Sequence, residues 1–133
     1  MSFLFALAIL ADPDAPEIRY QHNNGASNIC GVSAFGPAEL VEKILALPDL
    51  KRVEQIGQYL TLMQERDRRF WTLVIDDHPA APAVICRTIT PAAGGGSTLA
   101  MEISCFADKA SCDKLTADFV AHNQSVLRGE KGV

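Results

Sequence analysis

The clearest pattern along the chain is an alternation. From Thr98 to Phe106 the apolar side chains Leu99, Met101, Ile103 and Cys105 fall on every second position, with Thr98, Ala100, Glu102 and Ser104 between them. Side chains of an extended strand point alternately to its two faces, so this spacing predicts a strand with one buried face and one wet face. Phe70 to Asp76, with Trp71, Leu73 and Ile75 on a shared face, and Ala83 to Thr90 read as two more strands. The prolines of His78-Pro-Ala-Ala-Pro82 remove ladder donors and predict a turn between those two. Gly94-Gly-Gly96 reads as a hairpin connection, since no Lys-Ser/Thr follows it to make a phosphate loop.

The period then changes. After Asp108, a predicted N-cap, the positions Cys112, Leu115, Phe119, His122 and Val126 recur at helical steps, and a helix is expected there. The tail from Arg128 to Val133 has nothing to bury and is expected to fray. Upstream, Gly36-Pro37 opens a shorter helix, because a proline in the first turn loses no hydrogen bond. Leu50, Val53, Ile56, Leu60 and Met63 are also spaced as a helical stripe, which predicts a central helix over 50–69 that begins after Pro48. Asn24-Gly25 is a hairpin-turn signal.

The first half can be laid over the second. Asp12-Pro-Asp-Ala-Pro16 falls on His78-Pro-Ala-Ala-Pro82 at an offset of 66, which also sets Phe5 on Trp71 and Ile18 on Val84. Farther on, at an offset of 75, Cys30 falls on Cys105, Leu40 on Leu115 and Ile44 on Phe119. An internal βββα duplication, with halves 3–47 and 70–127 linked by the helix 50–69, accounts for both shifts. The expected fold is therefore α+β in a single domain. It is a largely antiparallel sheet of about six strands in the order βββ-αα-βββ-α, with the helices on one face.

Composition bounds the function. The net charge of −4, from 16 acidic and 12 basic residues, repels phosphate backbones, so nucleic acid is not an expected partner. The apolar run Phe3 to Ala11 has no Lys or Arg before it and is shorter than the roughly 18 residues a span needs. It reads as a buried strand, with no membrane span expected. Without an export signal the chain is expected to be cytoplasmic. Cys30, Cys86, Cys105 and Cys112 then read as small reduced core side chains, since their spacings match neither zinc knuckles nor a redox CxxC. An exported protein with two disulfides is the alternative use of an even cysteine number.

Candidate chemistry is sparse. Cys30, beside the polar run Gln21 to Asn28, is a candidate nucleophile with His22 or His78 as base. Asp76, His78 and His122 are candidate metal ligands, although neighbouring strand residues point apart. Trp71, Arg66 and Arg69 are candidate contacts for a partner protein. No cofactor motif is present. The expected function is thus a non-enzymatic accessory or binding protein acting through protein contacts, with a homodimer as the next expectation and a cysteine-dependent enzyme as the rival.

Overall fold

A computed structural model of the chain describes residues 17–75, 77–91 and 93–127. In order, these form β1 (Glu17–His22), β2 (Ala26–Ile29), β3 (Val32–Phe35), α1 (Pro37–Leu45), β4 (Leu50–Ile56), β5 (Tyr59–Gln64), β6 (Arg69–Val74), β7 (Ala83–Pro91), β8 (Ser97–Cys105) and α2 (Lys109–Leu127). Six strands make one sheet in the order β1-β8-β7-β6-β5-β4, and β2 and β3 form a separate hairpin. Every neighbouring pair is antiparallel except β1 with β8, which is parallel. The expectation of an α+β fold built on a mostly antiparallel six-stranded sheet holds.

The layering differs from expectation. Ala83, Ile85, Met101, Ile103 and Cys105 pack against Cys112, Leu115 and Phe119 of α2. The alternate residues Val84 and Cys86, with Trp71, Leu73 and Leu62, pack against Ile29 and Ala34 of the hairpin and Leu40 and Ile44 of α1. The two helices therefore lie on opposite faces of the sheet, not on one. Covered from both sides, the middle of the sheet reads as the nearly unbroken apolar runs Trp71–Val74 and Ala83–Cys86.

The predicted helix over 50–69 is instead the β4–β5 hairpin and the turn that follows it. Gly57 and Gln58 make the two-residue connection, with Gly57 at φ 56° where glycine is favoured. A glycine inside a helix costs about 1 kcal/mol, and a tyrosine and a threonine follow it closely. The apolar steps from Leu50 to Met63 fit a helical stripe by coincidence. In the fold Leu60, Leu62 and Gln64 turn toward α1 while Thr61 turns toward α2's side.

The cysteines are not the reduced core side chains that their spacing suggested. Cys30 is bonded to Cys86 and Cys105 to Cys112, with Cα–Cα separations of 6.5 and 5.8 Å. Each bridge ties one covering layer to a central strand. Cys30 and Gly31, at φ 47° and 84°, form the two-residue turn between β2 and β3, and the sulfur of Cys30 reaches β7 from that tip. Asn24-Gly25 turns the chain between β1 and β2, which belong to different sheets, so it closes no hairpin.

Residues 3–16 of the expected first repeat lie outside the described residues. Among those described, the halves differ in pairing. β6, β7 and β8 pair in chain order, whereas β1 joins the far edge beside β8 and β2–β3 pair alone. Cys30 on a turn and Cys105 at a strand end occupy unlike positions.

Candidate functional site

Few of the residues singled out in the sequence meet. The sulfur of Cys30 is held in its bond to Cys86, and its backbone N–H donates to Glu102 Oε1 at 3.0 Å. His22 donates from Nε2 to the Ala107 carbonyl at 2.7 Å, beside the start of α2. The polar run Gln21 to Asn28 serves packing: Asn23 Nδ2 donates to Ser104 Oγ at 2.6 Å, and Ser27 Oγ lies 2.6 Å from the same oxygen. Trp71 is fully buried in the core rather than on the surface, with its indole N–H donating to Gln64 Oε1 at 2.8 Å. Arg66 is exposed and paired with Asp49 at 2.7 Å, and Arg69 donates from Nε to Thr88 Oγ1. Asp76 lies outside the described residues. Among the described residues no cluster of three His, Cys, Asp or Glu side chains is placed to hold a metal ion.

His122 lines a site that sequence patterns did not reveal, and His78 adjoins it only through Tyr59. Tyr59 lies between His78 and Phe119, with ring centroids 5.3 and 5.5 Å away, and Phe119 lies 6.0 Å from His122. This aromatic row borders a cleft of about 360 Å³ between the β4–β7 face and the flank of α2. Strand pairing sets its floor. Thr61 lies opposite Thr72 across β5 and β6, and their hydroxyls are 3.5 Å apart. Ile56 and Glu54 of β4 form one wall, and Asp118, Phe119 and His122 of α2 form the other.

Arg87 occupies the base of this cleft. It follows Ala83 and Ile85 in the alternation that faces α2, so the register of β7 turns its side chain inward. Its guanidinium lies 5.6 Å from the centroid of the Phe119 ring, and Nη2 donates to Thr72 Oγ1 at a long 3.4 Å. Nε is buried and meets no acceptor among the described residues. No carboxylate among them lies within ion-pair distance of it. A guanidinium offers five N–H donors, and here one weak bond and a ring face engage them.

The surrounding groups respond to that charge and to burial. Desolvation lowers the pKa of Arg87 from its ordinary value. Burial, and then the charge of Arg87, holds His122 below the usual histidine range, which favours its neutral ring. Burial, followed by the negative charge of Asp118, raises the Tyr59 hydroxyl, with Lys114 opposing. The tautomer of His78 is set by its neighbours. Nδ1 accepts the Ala80 N–H at 2.9 Å, so the ring proton sits on Nε2, which donates to Tyr59 Oη at 3.0 Å.

Sequence alternation held one clue to this site, a single arginine in register with the buried positions Ala83 and Ile85. The aromatic row held none, because its members come from β5, the turn before β7, and α2. Comparison with protein-family models, with curated proteins and with solved structures finds no match. No helix among the described residues is long and apolar enough to cross a membrane.

Proposed function

We propose that the chain is a non-enzymatic binding domain of an oxidising compartment, held together by its two disulfides and acting through the Arg87 cleft. The observation that carries this reading is a partly buried cation in a concave site with no anion of its own among the described residues. Clefts with an apolar wall and a few convergent polar groups are where small-protein binding sites form. Support for binding over catalysis comes from how the polar groups are engaged. His78 donates to Tyr59 and so is no base toward it, and Asp118 is paired with Lys114 at 3.2 Å. Cys30, bonded to Cys86, offers no thiolate.

Thiol titration of the protein purified without reductant tests the compartment. We expect no reactive thiol in denaturant and four after reduction. Four thiols at the outset overturn the reading. A second reading, self-association at the sheet edge, draws on Val53 and Ile56 of β4, which are 46% and 57% exposed. The register shift at Arg52/Glu54 and the charges of Lys51, Arg52 and Glu54 oppose it, because bulges and charges guard edges against strand addition. Sedimentation across a wide concentration range decides between them, and a monomer throughout ends the second reading.

A further inference from the structure

We infer, resting on the cleft being the binding surface proposed above, that it takes a small monocarboxylate, with the charged head on Arg87 and the apolar body against Phe119 and Ile56. The head is identified by its donors. The Arg87 fork matches the two oxygens of a carboxylate, and Thr72, already within reach of Nη2, lies beside it. Such a ligand would engage the Nη groups of the guanidinium, which among the described residues make only the long bond to Thr72.

Charge count separates a monoanion from a dianion. Arg87 is the cation of the cleft, and Glu54 and Asp118 stand at its walls. Lys114 offsets Asp118, but Glu54 has no ion pair among the described residues. The cleft is therefore neutral overall, so one negative charge is held only where it sits on Arg87, and the second charge of phosphate has no cation left to offset it beside Glu54. Volume sets the body. A cleft of about 360 Å³ is near the lower end for small-molecule sites, so it admits one ring or a short branched chain. Phe119 and Ile56 give that body an apolar surface, and the polar Thr61 and Thr72 lie beneath the head.

An amide NMR titration of the full chain with its disulfides intact tests this, using phenylacetate and isovalerate as probes. Phenylacetamide, the neutral isostere, and inorganic phosphate serve as comparators at constant ionic strength. We expect saturable shifts at Thr61, Thr72 and Phe119 with a carboxylate probe, and binding weaker by at least roughly tenfold in Arg87→Met, as for loss of a hydrogen bond to a charged group. Glu54→Gln should tighten binding. Arg87→Lys, which keeps the charge but loses the fork, should fall between wild type and Arg87→Met, and it carries the test should Arg87→Met fail to fold. The inference is overturned by any of four results: no saturable shift with either carboxylate, equal binding of phenylacetamide, equal binding of phosphate, or unchanged affinity in the arginine variants. None of these touches the thiol titration, so the disulfide-held binding domain survives or fails separately.

Discussion

Arg87 is the residue on which stability and binding pull in opposite directions. An unpaired guanidinium carried into a partly desolvated cleft costs folding free energy, and the Phe119 ring and Thr72 hydroxyl offset only part of it. Arg87→Met keeps the length and apolar contacts while removing the charge. It is expected to raise stability by about 1 kcal/mol, on the order of 3 °C in melting temperature, even as carboxylate binding is lost. Thermal melts without ligand check the sign. Trp71 and Gln64 make the opposite case. The buried indole N–H has Gln64 Oε1 as its acceptor, and Gln64 Nε2 donates on to the Pro48 carbonyl. Gln64→Leu strands both groups and should cost about 1–3 kcal/mol in chemical denaturation, with the loss reduced when Trp71→Phe is combined with it.

Among the elements, α2 is docked through its first turns. Asp108 caps it by accepting the Ser111 N–H at 2.9 Å, and Asp113 accepts the Tyr20 hydroxyl of β1 at 2.7 Å. The Ser111 bonds hold the Asp108 carboxyl below its usual range, and the Tyr20 and Lys109 bonds do the same for Asp113. Burial, then the Asp113 bond, pushes the Tyr20 hydroxyl up to about 12. The carboxylates favour the folded state in their charged form, so their contribution is complete above about pH 4 and is lost as pH falls through their lowered folded values. Tyr20 favours it in its neutral form, so its contribution is complete below about pH 10 and is lost as pH rises toward 12. Melting temperature should therefore fall at both limits, and Asp113→Asn should flatten the acid limb. The strand elements were legible in the second half because alternation and burial agree there, as at Leu99, Met101 and Ile103. The 50–69 segment was not, because five apolar residues at steps of three and four satisfy a helix as well as a hairpin, and only Gly57 spoke against the helix.

At the scale of the whole fold, the described residues form a sheet with one layer bolted to each face. Cys30–Cys86 fastens the β2–β3 layer and closes a sequence separation of 56, whereas Cys105–Cys112 fastens α2 across a separation of 7. Loop-closure entropy predicts a loss of about 4 kcal/mol for Cys30→Ser with Cys86→Ser, against about 2.5 kcal/mol for Cys105→Ser with Cys112→Ser. Equilibrium denaturation of the two paired variants checks the order. Residue order by itself determined the local elements of the second half, the N-cap at Asp108 and the helix opened at Pro37. Those follow from periodicity and capping, which act over a few neighbouring positions. Tertiary structure decided which face each helix covers, which cysteines meet, the parallel seat of β1 beside β8, and the gathering of Tyr59, Arg87, Phe119 and His122 around one cleft. A pattern of buried positions states that a side chain leaves water but not what it leaves water for, and partners far apart in the chain are chosen only when the layers close.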